Sequence, residues 1–138
     1  MIDIQIKAIP LSIKECEDWL TDNTVGGEVL FIGKVRNHTK GKEVLRLDFE
    51  AYEPMAISEM KKIAQQAMDK WPLKRIIIHH RVGALEIGEI AVIIGVASSH
   101  RKEAFAACEY AIDTLKQTVP IWKKEIFADG EVWVAAHP

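Results

Sequence analysis

The residues able to do chemistry in this sequence are cations placed at the ends of structural elements. Arg36 closes an expected strand, preceded by Lys34 and Val35, and His100-Arg101 open an expected helix. Lys116 falls near that helix's last turn, and Lys123-Lys124-Glu125 follow shortly after Pro120. Each has a simpler account when taken singly. Arg36 and Lys42 suit solvated hairpin charges, Lys116 complements a helix C-terminal dipole, and Lys124-Glu125 reads as surface. His100-Arg101 is different. A helix N-terminus already carries positive potential, so a cationic pair there is a local mismatch unless it serves an anion. Free amides, the dipole and a guanidinium together make an anion site.

Spacing limits how these cations can cooperate. Arg101 and Lys116 are separated by fifteen residues of one helix, about 22 Å at 1.5 Å per residue. One small anion cannot reach both within a chain. Either they serve different sites or a symmetric dimer brings Arg101 of one copy to Lys116 of the other; the dimer is the expected arrangement.

The elements that must position these groups follow from periodicity. Residues 2–8 alternate as a half-buried strand. Ser12-Ile-Lys-Glu15 reads as a capping box before a short helix that buries Ile13, Cys16 and Leu20. Gly26-Gly27 introduces a strand over 28–36, the polar segment 37–43 connects it, and a return strand over 44–52 turns Leu45, Leu47, Phe49 and Ala51 to one face. A second helix starts at Glu53-Pro54 with a stripe of Ala56, Met60, Ile63, Ala67 and Trp71. Strands at 74–82 and 89–97 are joined by Gly83–Gly88. Ser98-Ser99 are candidate caps for a third helix over 101–118, which is expected to bury Phe105, Cys108, Ile112, Leu115 and Val119. A last extended piece and a hairpin at Ala128-Asp-Gly130 lead into 131–136. The order β-α-β-β-α-β-β-α-β-β, with tight hairpins between helices, indicates a single α+β domain over 1–138 with three main helices.

Composition narrows the function classes. The 138 residues carry 18 basic and 20 acidic side chains, a net charge of -2, so no global basic field draws nucleic acid. The longest apolar run, Ile90–Ala97, is far short of the about 20 residues a membrane span needs, and residues 1–7 lack a signal peptide's apolar core. No membrane partner is expected, and a cytoplasmic location is. Cys16 and Cys108 lie in helical patterns among apolar neighbours and read as buried thiols. Gly27 to Gly33-Lys34 fails as a phosphate loop by one residue of spacing and by the missing Ser or Thr. His79 and His80 are adjacent on a strand and face opposite sides, so they cannot share a metal.

The cations lie in stretches that resemble the MoaE family, the large, catalytic subunits of molybdopterin synthase. The matching pieces are Phe31-Ile-Gly-Lys-Val-Arg36, Leu47-Asp-Phe-Glu-Ala-Tyr52 with Met55-Ala56, His80-Arg-Val-Gly83 with Ile87-Gly-Glu89, Ser98-Ser-His-Arg101 with Glu103-Ala-Phe105, Asp113-Thr-Leu-Lys116 through Pro120-Ile-Trp-Lys-Lys-Glu125, and Asp129-Gly130 with Trp133. They run in order over nearly the whole chain. The resemblance implies an α/β-hammerhead fold and a homodimer within a heterotetramer that binds two copies of a small ubiquitin-like sulfur carrier. It implies a sulfurtransferase that moves sulfur from the carrier's C-terminal thiocarboxylate to cyclic pyranopterin monophosphate, forming the dithiolene of molybdopterin. The carrier supplies the sulfur, so no cofactor or metal is expected. Family substrate-binding positions fall on Lys34, Val35, Arg36, His100, Arg101, Lys116, Lys123, Lys124 and Glu125, and the catalytic lysines on Lys116 and Lys123.

A cationic pocket suits both a cyclic phosphate and a thiocarboxylate. A lysine crowded by cations has a depressed pKa and offers a neutral amine as general base; Lys123 is assigned that role and Lys116 the stabilisation of charge near the carrier's carbonyl. Phe31, Met55 and Trp122 are candidates for the groove of the carrier's glycine tail, with a core role equally open for Phe31 and Trp122. The connection 37–43 is expected to be mobile without partners. Family members often continue past the last strand with a basic tail that reaches the neighbouring chain; this sequence stops at His137-Pro138, and His137 is left out of the site. The competing reading is a non-catalytic adaptor that docks a ubiquitin-like protein.

Overall fold

Two stretches buried on both faces, 76–80 and 91–98, form the centres of the two middle strands of the first sheet. The computed structural model describes residues 1–135, so His137 lies outside the described residues. In chain order the elements are β1 (Ile2–Lys7), α1 (Ile13–Leu20), β2 (Gly27–Lys34), β3 (His38–Thr39), β4 (Lys42–Ala51), α2 (Glu53–Lys70), β5 (Leu73–Arg81), β6 (Gly83–Glu86), β7 (Ile90–Ser98), α3 (Arg101–Thr118), β8 (Ile121–Phe127) and β9 (Gly130–Ala135). The first sheet has the order β1-β5-β7-β2. Its β1–β5 pair is parallel and the others antiparallel. The second sheet runs β3-β4-β8-β9, with β6 also on β4, all antiparallel. The mixed α/β architecture with three helices is the one expected.

The first sheet divides the core. Ile76, Ile78 and Ile94 pack with α2 and α3 on one face, while Ile77, Ile93 and Ala97 pack with Cys16 and Leu20 of α1 on the other. Burial on both sides explains why these strands show no polar alternation. Gly95 sits under α1. A Cβ there would come within 2.6 Å of Leu20 Cδ1 and 2.9 Å of both Ile77 Cγ2 and Leu30 Cδ2. Gly95→Ala should therefore destabilise the fold by about 1–3 kcal/mol through overpacking, read as a lower urea midpoint with an unchanged slope.

Several expectations change in detail. Ser12 Oγ accepts from the Glu15 amide at 3.1 Å, but the reciprocal half of the capping box is missing because the Glu15 carboxylate takes Lys7 Nζ at 2.9 Å. A register shift between Val44 and Arg46 turns Val44 inward and leaves Leu45 46% exposed. A bulge of this kind swaps the two faces of a strand. Phe105 is 61% exposed, not buried, because α3 presents Ala104, Ala107, Cys108, Ala111 and Leu115 to the core. Small alanines let the helix approach closely on that stripe and rotate Phe105 out. The segment 83–88 contains β6, a strand on β4, where only a connection was expected. The connection 37–43 contains β3 and a tight turn in which Lys40 and Gly41 have φ of 50° and 81°. Two consecutive positive φ values match a type I′ hairpin turn.

Candidate active site

The two sheets and the end of α3 meet at a small cavity of about 120 Å³. The alternation of β8 puts Ile121, Lys123, Glu125 and Phe127 on its inner face and Trp122, Lys124 and Ile126 on the outer one. Lys123 stands opposite Phe49 of β4. The Phe49 ring in turn meets the His80 ring edge-on, at 5.4 Å and 66°. The last turn of α3 brings Leu115 and Lys116 to the cavity, and β2 brings Phe31, Gly33 and Lys34, followed by Val35. Gly33 keeps this wall thin, since a Cβ would lie 2.7 Å from Val92 Cγ1.

The electrostatics centre on Lys123. Its amine is pushed below the ordinary lysine value first by burial and then by the charges of Lys116 and Arg36, while Glu125 acts in the opposite sense. The positive charges of Lys116 and Arg36 therefore reach the same point from two elements. Arg36 is held by the residue before it. The Val35 amide donates to the Glu89 carbonyl at 3.0 Å, and the Gly88 amide donates to the Val35 carbonyl at 2.9 Å. Val35 is thus a wall with its backbone already satisfied. Glu125, 5% exposed, accepts from Thr39 Oγ1 at 2.7 Å, which ties the β3 hairpin to the cavity's strand.

Not every expected residue converges. Lys124 is on the opposite face of β8, 3.7 Å from Glu131 and with its Nζ 4.8 Å from the centre of the Trp133 ring. His100 and Arg101 are exposed at the far end of α3. There His100 is the N-cap residue, without a side-chain cap, and Ser98 Oγ donates to the His100 carbonyl. Ser98 and Ser99 are therefore not the caps. Gly26 and Gly27 pack directly beneath this end: the Gly26 amide donates to the Ser98 carbonyl at 2.9 Å, and a Cβ on Gly27 would lie 3.2 Å from the Arg101 Cα. Met55 and Trp122 are exposed and do not line the cavity, whereas Phe31 does. Phe31 and Ile112 also belong to a larger open groove of about 650 Å³ between β2 and α3, which carries the exposed Phe105.

The described structure fits a family comparison over most of its length. A family model described as MoaE protein matches residues 6–118. The chain belongs to the MoaE family. A molybdopterin synthase catalytic subunit from Nostoc sp. is 48% identical to this MoaE-family chain over 128 residues, covering 91% of this chain and 78% of the relative. The crystal structure of molybdopterin synthase from Staphylococcus aureus superposes with a TM-score of 0.90 at 43% identity, covering 94% of each chain. A complex of subunits 1 and 2 of the molybdopterin-converting factor from Helicobacter pylori shares the fold at a TM-score of 0.78 and 22% identity, over 99% of this chain and 93% of that one.

Among the described residues, no helix of this MoaE-family chain is long and apolar enough to cross a membrane. His79 and His80 do face opposite sides. His79 Nε2 lies 2.8 Å from Asp3 Oδ2 and its Nδ1 3.7 Å from Cys16 Sγ. Burial pushes the Cys16 thiol up to about 11, so this constellation holds no activated nucleophile. His80 lines the cavity, although it is not among the residues expected there from the sequence; its sequence signals are its strand face opposite His79 and its place in His80-Arg-Val-Gly83. Burial lowers His80 to about 4. An unfolded histidine titrates near 6.5, so below that pH the unfolded chain binds the extra proton first. Stability from this group is intact above pH 6.5 and falls as pH drops toward 4, by about 3 kcal/mol in all. Urea titrations across that window should show the loss, and His80→Phe should remove it.

Proposed function

We propose that this chain transfers sulfur from the C-terminal thiocarboxylate of a small ubiquitin-like carrier to cyclic pyranopterin monophosphate, and that two transfers build the dithiolene of molybdopterin. The carrying observation is the convergence of Lys34, Lys116 and Lys123 on one cavity, with the Lys123 amine shifted down by burial and by Lys116 and Arg36. A lowered amine pKa raises the share of neutral amine that can act as a general base. Lys123 moves protons, while Lys116 and Arg36 stabilise the carboxyl and phosphate charge. The carrier brings the sulfur, so the chain needs no resident cofactor or metal.

The Helicobacter complex supports a small partner subunit. The groove between β2 and α3 shares Phe31 and Ile112 with the cavity and seats the carrier's glycine tail in this reading. His100 and Arg101 act in the cavity of a second copy, giving a homodimer within a heterotetramer, in the cytoplasm. The adaptor reading requires the groove but no cationic cavity. Alanine at Lys116 and Lys123 separates the two: the enzyme still binds the carrier and loses product, while an adaptor keeps its function. Carrier affinity by calorimetry and molybdopterin by assay, on the same preparations, decide it.

A further inference from the structure

His80 gives the cavity a group that the sulfur-transfer reading does not use. Its side chain is 3% exposed and forms part of the cavity lining. Nδ1 lies 2.9 Å from the Arg81 carbonyl oxygen. A carbonyl only accepts, so Nδ1 carries the proton and the neutral ring presents a lone pair at Nε2. Nε2 has no hydrogen-bond partner among the described residues. Among the described residues the fully buried side-chain atoms that lack any partner are Arg81 Nε and Glu103 Oε2; Nε2, also unpartnered, is not among them and so keeps some accessible surface on a ring that lines the cavity. The ring is held from two directions, by the Arg81 carbonyl and by the edge contact with Phe49.

The other polar side chains lining the cavity are Lys34, Lys116 and Lys123. Protonated lysines only donate, so they recognise an anion and nothing else about it. A ligand that enters with an uncharged N–H beside its charge would leave that donor without a protein partner unless an acceptor met it. While Lys123 carries its proton, His80 is the one neutral acceptor among the lining side chains. Its burial keeps the proton off at neutral pH, and a charged imidazolium would repel the lysines around it.

We infer that His80 Nε2 is a specificity-determining acceptor of this cavity, taking a hydrogen bond from an uncharged N–H of the anionic ligand that enters beside Lys34, Lys116 and Lys123. The inference rests on the function proposed above and specifies it. Two ligands of that reading carry the required N–H: the peptide amides of the carrier's Gly-Gly tail and the ring N–H groups of the pterin.

Calorimetric titration of the full chain with each probe separately tests this, using the carrier ending in an ordinary Gly-Gly carboxylate and cyclic pyranopterin monophosphate. His80→Phe and His80→Met remove the acceptor, and His80→Gln restores an oxygen near the Nε2 position. Both acceptor-free variants should weaken one probe about tenfold, and His80→Gln should recover most of that affinity. The probe that responds identifies the N–H. Wild-type affinity for both probes in the acceptor-free variants overturns the inference. So does an equal loss for both probes that His80→Gln fails to rescue and that follows a lowered melting midpoint. If the unmodified protein binds neither probe, the function proposed above fails and this assignment falls with it.

Discussion

Lys123→Ala is expected to lower molybdopterin formation by about 10²–10⁴-fold, the range for losing a positioned general base, while carrier affinity stays within a few-fold of the unmodified protein. The physical basis is the half-buried amine on the inner face of β8, pushed down by burial and by Lys116 and Arg36. A base must be unprotonated to act, so the rate should rise with pH through the Lys123 pKa, which lies below the ordinary lysine value. The neighbours set where that rise falls. Lys116→Ala or Arg36→Ala removes a cation that holds Lys123 down, so the residual activity should rise only at higher pH. Glu125→Gln removes the carboxylate that favours the charged amine, so its rise should move to lower pH. Rates from pH 6 to 10 on these four variants check both direction and size. A Lys123→Ala protein that keeps its rate would remove the base assignment, whatever the cavity binds.

Co-expressed chains carrying Arg101→Ala and Lys116→Ala are expected to recover activity that neither variant has alone. The two residues sit at opposite ends of α3, about 22 Å apart. In a mixed two-fold dimer one site combines both unmodified residues and the other combines both alanines. Random pairing makes half the dimers mixed, so about a quarter of all sites are intact. Activity should recover to about a quarter of the unmodified level. Separately purified variants, mixed without subunit exchange, should show none of it. Recovery absent in verified mixed dimers would mean that Arg101 and Lys116 serve different sites, or that Arg101 serves none.

The outline of the fold was legible because hydrophobic periodicity is a local property. The α3 boundaries and the succession of helices and main strands along the chain follow from stripes, caps and glycines within a few residues of each other. Features missed in the sequence depend on long-range packing. The parallel β1–β5 pair and the β6–β4 pair join distant segments. Phe105 looks like core by spacing, yet the alanine stripe of α3 decides which face packs. Leu45 alternates correctly, yet a bulge in β4 gives its place to Val44.

The site divides the same way. Lys116 and Lys123 were visible as cations at element ends, and the cavity does bring them together. Lys124 reads as surface by pattern and enters the site only through the family resemblance, and the alternation of β8 sends it to Glu131 and Trp133. His80 was passed over because a histidine in an apolar strand carries no local sign of what its ring faces. Its partner Phe49 comes from β4, on the other sheet.

The most direct test mixes the purified protein with thiocarboxylated carrier and cyclic pyranopterin monophosphate and assays molybdopterin. The account predicts product with the unmodified chain and its loss with Lys123→Ala at unchanged carrier affinity. Tight carrier binding with no product from the unmodified chain would contradict it and leave an adaptor.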